Sequence, residues 1–339
     1  MERLTTHELF YDSNWPSTEI LNSEQLSMIK DFNERVGCGE ISSESVPCLC
    51  GKEAFKVIAE YDRYRLRQRT VICMVCGLIQ SMPRMNAEST VWFYGSDTYR
   101  RLYDPETLEI DQSLFDTMAQ RCHHRFDYVM NHLNLSVEAR VMEIGCGGGW
   151  NLKPFADAGM SVCGLDPSPQ LTTFGRQIGM DLRVGGIDNL EIFEDNHQDL
   201  IILSHVLEHF PNPITALLNI IPYLKPGGEV YIEVPDGTNF AIGALQNAHT
   251  YLFTPATLEH YSAHAGLKPN NIEAIGPHMR GLFMKSLTTP FSLDDEFDKT
   301  KKIIQRYERR ENLKQILRGA GLFGPAKLAA SVIRKIRAY

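Results

Sequence analysis

In this 339-residue chain, the residues whose types and spacing suit chemistry fall into three groups. The first is VMEIGCGGGWNL, Val141 to Leu152, where an apolar, strand-like run breaks into Gly145-x-Gly147-x-Gly149 and then into a helical pattern. Glycine lacks a Cβ and tolerates positive φ, so such a turn lets a ligand approach the backbone closely, and the helix behind it offers free N–H groups. About twenty residues on, a second strand-like run ends in Asp166-Pro167, where a carboxylate can accept hydrogen bonds from both hydroxyls of a ribose. The expected ligand therefore contains a nucleoside. The pattern is not that of a dinucleotide site, whose third glycine would stand at Trp150. Glu143, at the end of the first strand, would also repel a pyrophosphate. A carboxylate there suits an ammonium or a sulfonium, and S-adenosylmethionine carries both without a phosphate.

The second group is PCLCG with CMVCGLIQSMPR, which sets Cys48, Cys50, Cys73 and Cys76 as two pairs separated by 22 residues. Four thiolates on two knuckles are the usual composition of a closed, tetrahedral structural zinc site. Cys73-x-x-Cys76-Gly is a good knuckle. Cys48-x-Cys50-Gly is one residue short, which leaves Cys38 as a substitute ligand and four unconnected buried thiols as the bland alternative. Cys122, Cys146 and Cys163 read as isolated packing cysteines.

The third group holds acids and bases. A methyl carbon activated by a sulfonium needs a nucleophile held about 3 Å away and a group to take its proton, and it needs no metal. SHVLEHFPNP supplies His205, Glu208 and His209 just after a buried strand, and NAHTYLFTP supplies His249 and Tyr251. His209, His249 and Tyr251 are the candidate catalytic residues, each weighed against a structural or pocket-lining role. His260 and His264, an i, i+4 pair with no carboxylate, read as packing or surface.

These residues need a frame. From about 138 strand-like and helical runs alternate, as in ARVMEI, SVCGLD, DLRVG, DLIILS and EVYIEVP with helices between, which implies crossovers and a parallel sheet covered on both faces. The expected organisation is a helical segment at 1–45, a cysteine module at 46–85, a helical linker at 86–136, a catalytic domain at 137–290 and a basic helical extension at 291–339. The acidic DDEFD, 294–298, reads as a linker to that extension. No apolar run reaches membrane-spanning length and the N-terminus lacks a signal pattern, so a cytoplasmic protein is expected. The net charge of −8 argues against nucleic acid as partner. From Lys299 onward there are twelve Lys or Arg against Glu308 and Glu311, a tail of +10 on a body of −18.

Taken together, VMEIGCGGGWNL, VCGLDPS, DLIILSHVLEHFPNP and LKPGGEVYIEVPD resemble the class I S-adenosylmethionine-dependent methyltransferases, over residues 138–288. The resemblance implies an α/β fold with a Rossmann-like seven-stranded sheet whose last strand is antiparallel. It places Glu143, Gly145, Cys146, Gly147 and Gly149 around the cofactor's methionine end and Asp166 and Pro167 at the ribose. Asp188 falls near the adenine, and Ser204 and His205 along the pocket. A cysteine module ending CGLIQSMPR, followed by VWFYGSDTYRRLY, further resembles the zinc-module sugar methyltransferases of deoxysugar and surface-polysaccharide pathways. That likeness implies that Tyr94 or Tyr99 reaches the cofactor and that His249 matches a proposed base. The acid beside that base is absent here, where Asn247-Ala248 precede it, and this favours methylation of a hydroxyl over a carbon.

The expected function is methyl transfer to a sugar, nucleotide-linked or in a nascent surface glycan. The alternatives are an O-methyltransferase of a small hydroxylated metabolite or lipid, and a non-catalytic cofactor-binding scaffold in glycan assembly. In GPAKLAASVIRKIRAY, Leu328, Val332, Ile333 and Ile336 share one helical face. That helix is expected either to dock on the acidic body or to meet an anionic membrane surface or an assembly complex.

Overall fold

In the computed structural model, which describes residues 1–193 and 197–320, the chain folds around a seven-stranded and a four-stranded sheet that share a core, with a small two-stranded sheet beside them. Residues 1–22 hold one short helical turn, Glu8–Phe10, and wrap the cysteine module, with Arg3 bridging to Val57. The helix expected across 1–45 is confined to α1, Ser23–Cys38. There Asn22 and Gln25 cap each other reciprocally, and Gly39 closes the helix in the left-handed conformation at φ 84°.

Strand β1, Ser43–Glu44, pairs with β5, Arg84–Met85, while β2, Phe55–Tyr61, β3, Arg67–Cys73, and β4, Ile79–Ser81, form an antiparallel meander. Helices α2, Ala87–Gly95, α3, Thr98–Tyr103, and α4, Gln112–His132, follow and lead to the large domain.

That domain contains β6, Arg140–Ile144; α5, Lys153–Asp157; β7, Ser161–Asp166; α6, Pro169–Gln177; β8, Asp181–Val184; and β9, Gln198–Ser204. After them come α7, Pro213–Ile220; β10, Leu224–Pro235; β11, Tyr251–Leu252; α8, Pro255–His264; β12, Leu267–Ile275; and β13, His278–Lys285. The seven-stranded sheet runs β12-β13-β10-β9-β6-β7-β8, with β13 antiparallel to both of its neighbours. The alternation read from the sequence is thus a doubly covered sheet. Val141, Leu200, Ile202 and Tyr231 face one core with α4 and α5, while Met142, Ile201, Leu203 and Ile232 face the other with α7 and α8. The LKPGG segment lies inside β10, where an irregularity between Leu224 and Glu229 absorbs it.

Two expectations are corrected. The acidic segment at 294–298 is not a linker: α9, Glu296–Gly319, begins inside it, and buried Glu296 accepts a hydrogen bond from Thr254 Oγ1 at 2.6 Å. The cysteine module does not end at 85. Its sheet is completed by β11, which comes from the segment after β10 and pairs with β4. The amphipathic pattern at 324–339 lies outside the described residues. No helix among the described residues is long and apolar enough to cross a membrane.

Candidate active site

The glycine turn sits at the carboxyl end of β6, where ligands of open α/β sheets bind. Gly145, Gly147 and Gly149 have φ of 72°, 55° and 90°. A Cβ at these positions would run into Val206, the Trp150 ring and Met180, so both conformation and space demand glycine. Asp166 at the end of β7 ties the turn down: its two carboxylate oxygens accept the Gly147 and Ser168 N–H groups, each at 2.8 Å. Pro167 is exposed beside it. Cys146 is fully buried and packs against Gly164, so its side chain fills the core beneath the turn. Asp188 stands exposed in a short helical turn, Ile187–Ile192, after β8.

Glu143 is completely buried. Asn151 Nδ2 donates to its Oε1 at 2.5 Å, while Oε2 has no partner. Burial pushes this carboxyl up to about 8, against the smaller opposing effects of Asn151 and Arg125. A buried carboxylate oxygen without a donor, beside a turn that admits only glycine, fits the cationic methionine end of S-adenosylmethionine. Glu143 and the turn would hold that end, and Asp166 the ribose.

From Glu143 a polar chain crosses the sheet. Asn151 Oδ1 accepts from Arg125 Nη1 at 3.2 Å, and Arg125 grips Glu233 in two-pronged fashion at 2.8 and 2.9 Å. Glu233 Oε1 lies 3.1 Å from His205 Nε2, and His205 Nδ1 lies 3.5 Å from Glu208 Oε1. Burial opposes a charge on His205, but Glu208 and Glu233 override it and raise the imidazole to about 9. His205, at the end of β9 after Ser204, takes φ 55° to reach both acids. The sequence placed it along the cofactor pocket; its ring nitrogens face these two acids and its ring meets His278 edge to face at 4.5 Å.

Glu208 is the centre of the site. It is fully buried, and burial alone would raise its pKa, yet the protonated His205 beside it, foremost among its neighbours, holds it down at about 2. His249 Nε2 stands 3.9 Å from Glu208 Oε1, and the His209 and His249 rings meet edge to face at 5.0 Å. Burial and then His209 pull His249 down to about 3, and burial lowers His209 as well, so both rings are neutral near pH 7. The ligating atoms of Glu208, His209 and His249 lie within 4.8 Å of one another, a spacing that could also enclose a metal ion. His209, however, is committed to protein partners, to the Tyr94 hydroxyl through Nδ1 at 2.9 Å and to the backbone of Ala248. The Tyr94 and Tyr99 rings meet at a tilt, 4.9 Å apart, and Tyr99 meets the His209 ring edge to face, so both tyrosines pack beside the cluster. Tyr251 is not in the cluster; its hydroxyl donates to the Pro211 carbonyl at 3.0 Å.

His209 and Tyr94 open onto a cavity of about 310 Å³ between the cysteine module and the large domain. Its walls include Arg67, Arg69 and Arg84, with Gln68 and Asn247, against Phe32, Val36 and Ile41. Arg69 pairs with Glu60 at 3.0 Å and Arg84 with Glu44 at 2.9 Å.

The four module cysteines converge. Cys48 and Cys76 sulfurs are 3.4 Å apart and those of Cys50 and Cys73 3.6 Å, with all four within 4.8 Å. Zinc–sulfur bonds of about 2.3 Å in a tetrahedron put sulfurs about 3.8 Å apart, so the set fits a zinc ion. Cys50 belongs to it despite the short knuckle, while Cys38 is exposed at the end of α1.

Sequence reading missed Arg125, Asn151 and Glu233 as site residues. A signal existed for Glu233, an acid two residues after Tyr231 on an inward-facing strand register. Arg125 carried none, because its partner Glu233 lies 108 positions away in the chain.

Residues 115–272, just under half of the chain, match the family model described as a methyltransferase domain. Among curated proteins, a ubiquinone biosynthesis O-methyltransferase of Xanthomonas oryzae pv. oryzae is 30% identical over 145 residues, 40% of this chain and 60% of that protein. One from Xylella fastidiosa is 28% identical over 171 residues, covering 44% and 69%. The chain thus spans about 60% of the length of the first of these relatives. Among solved structures, the 1,6-didemethyltoxoflavin-N1-methyltransferase of Burkholderia thailandensis, with bound S-adenosylhomocysteine, is 17% identical with a TM-score of 0.45, over 62% of this chain and 96% of that one. A Haloferax volcanii complex of the Trm112 methyltransferase activator and a methyltransferase gives 18% and 0.45, over 52% and 95%. The sheet order, the glycine turn and the family match are those of an S-adenosylmethionine-dependent methyltransferase domain. The curated relatives named here are not sugar methyltransferases.

Proposed function

We propose that the protein transfers a methyl group from S-adenosylmethionine to a hydroxyl of an anionic, sugar-like acceptor, nucleotide-linked or part of a glycan precursor. The observation that carries this reading is the buried Glu208–His249–His209 cluster, whose His209 lines an arginine-bearing cavity, one polar chain away from the orphaned Glu143 carboxyl.

Bound S-adenosylmethionine would supply a methyl carbon activated by its sulfonium. The chain's own residues hold the acceptor and take its proton. His249, neutral at physiological pH, accepts the hydroxyl proton as the new O–C bond forms, and Glu208 stabilises the imidazolium that results. A weak base suffices here, because a hydroxyl oxygen becomes strongly acidic once it bonds to carbon. Glu208, from the loop after β9, stands next to His249 where the sequence around Asn247-Ala248 has no acid. The hydroxyl acceptor rests instead on the weak basicity of His249, which suffices for an oxygen and not for a C–H proton. Arg67, beside the Arg69–Glu60 and Arg84–Glu44 pairs, leaves the wall net positive and favours an anionic acceptor.

The names of the relatives favour a second reading, O-methylation of a lipid quinone precursor. Against it, much of the cavity wall comes from residues before 115, outside the region that matches the family. Purified protein incubated with methyl-labelled S-adenosylmethionine and a fractionated cell extract separates the two. Label in anionic, water-soluble acceptors supports the sugar reading, and label confined to the organic phase supports the quinone. Tight S-adenosylhomocysteine binding with no transfer to any fraction would sink both and leave a scaffold.

A further inference from the structure

The segment that carries His249 is held from two sides: the Thr250 N–H donates to the Glu208 carbonyl of the methyltransferase domain at 2.8 Å, and the cysteine module grips it from the other. Strand β11 is the edge of the module's sheet, with Tyr251 opposite Gln80 and Leu252 opposite Ile79. Ser81 donates from its backbone to the Thr250 carbonyl at 2.9 Å and from its hydroxyl to the His249 carbonyl at 3.1 Å. The turn between β2 and β3 grips the same segment from its other end. Fully buried Asp62 accepts the Asn247 N–H at 2.9 Å, and Arg63 donates to the Gly243 carbonyl at 2.9 Å and to Gln246 Oε1 at 2.8 Å. Its other carboxylate oxygen accepts the N–H groups of Tyr64 and Leu66, so one buried side chain fixes the turn and the His249 segment together.

Both grips trace back to the thiols. Cys73 is the last residue of β3, whose other end begins just past the Asp62 turn, and Ser81 lies five residues beyond Cys76 on β4. The methyltransferase domain meets the thiols directly, through the buried Tyr261 hydroxyl on α8, 3.1 Å from Cys76 Sγ. Gly77 packs so closely against the backbone of Glu296 that a Cβ would stand 2.6 Å away. The cofactor turn shares none of these bonds.

We infer that the cysteine site, when it holds its metal, positions the catalytic base: Asp62 and Ser81 present His249 to Glu208, while cofactor binding is independent of them. This rests on the reading of His249 as the base. Asp62, Ser81 and the four cysteines are positioning groups, not catalytic residues.

The test uses the full-length protein with ¹³C-labelled histidine rings. Zinc content is measured first by atomic emission. The metal is then stripped with a chelator and restored with Zn²⁺ alone, and Asp62→Asn is prepared as a folded variant that leaves the thiols intact. The expected result is about one zinc per chain. Stripping should move or broaden the His249 ring resonance and lower methyl transfer more than tenfold, with S-adenosylhomocysteine affinity within twofold, and zinc should reverse both effects. Asp62→Asn should reproduce the loss of turnover at unchanged cofactor affinity and unchanged zinc content. A protein purified without metal overturns the proposal, as does an unmoved His249 resonance after stripping. Parallel loss of cofactor binding overturns it too, by showing general unfolding. If no acceptor is ever found, the resonance and binding measurements still decide this inference, while the proposed activity fails separately.

Discussion

Replacing Glu143 by glutamine tests the cofactor site most directly. The carboxyl is wholly buried, has one oxygen without a partner, and is pushed by burial up to about 8. In the free protein at pH 7 it is then about 90% protonated, yet a cationic ligand calls for the carboxylate. Binding must therefore release a proton. Between pH 6 and 7 the affinity for S-adenosylmethionine should rise roughly tenfold, then flatten above pH 8, where the ligand's own α-amino group also begins to titrate. Isothermal titration calorimetry at pH 7 in buffers of different ionisation enthalpy should report about 0.9 proton released per ligand bound. Glu143→Gln keeps the acceptor for Asn151 but removes the charge. A charge-assisted hydrogen bond contributes about 1.5–3 kcal/mol, so the variant should bind roughly 10- to 100-fold more weakly than wild type at pH 8, and with no pH slope.

Stability gives an independent check. The carboxyl titrates near 4.5 when unperturbed and near 8 in the fold, so the folded state holds the proton more tightly. Its contribution to stability is full below pH 4.5 and is lost as the pH rises to about 8, an effect of up to about 5 kcal/mol. Thermal unfolding of the free protein should show this decline, and Glu143→Gln should lack it. A wild-type affinity that changes less than twofold between pH 6 and 7, with no proton exchanged, would refute the assignment of a neutral Glu143 facing the cofactor's cation.

Further outcomes follow from the same geometry. His249→Gln should lower kcat by about 10²-fold or more with cofactor affinity unchanged, whereas Tyr251→Phe should cost far less because its hydroxyl is held by Pro211. Since His249 is neutral down to about pH 3, kcat should show no limb near 6.5 attributable to it, and a pH–rate profile with such a limb that disappears in His249→Gln would contradict the burial assigned here. His205 is raised to about 9 by Glu208 and Glu233, so its stabilisation is full below about 6.5 and is lost as the pH rises through 9; chemical denaturation of His205→Gln should lack that alkaline decline. Arg67→Ala and Arg84→Ala should raise the acceptor KM severalfold at nearly constant kcat, and the effect should shrink in high salt.

The sequence by itself determined what depends on neighbours along the chain. Strand and helix alternation from 138 onward specified a covered parallel sheet, because inward-facing positions must be apolar at their own period. The glycine turn was legible because positive φ and close packing exclude every side chain at Gly145, Gly147 and Gly149. Asp166 was legible because strand ends place their acids at the ligand edge. The cysteines could be recognised from type and spacing, although whether Cys50 or Cys38 joined them was open until the sulfurs were seen together.

What tertiary structure alone decided lies between distant segments. Glu208 stood in plain view beside His209, but its role depends on His249, 41 residues later in the chain and just ahead of another sheet's edge strand. Arg125 and Glu233 form one ion pair across 108 positions, and the arginine wall of the cavity belongs to a different unit from the histidines it faces. Local propensity and hydrophobic period report which face of an element is buried. They carry no information on which buried charge will meet which, because that is settled by how finished elements pack, where an unpaired charge costs far more than any local preference can offset.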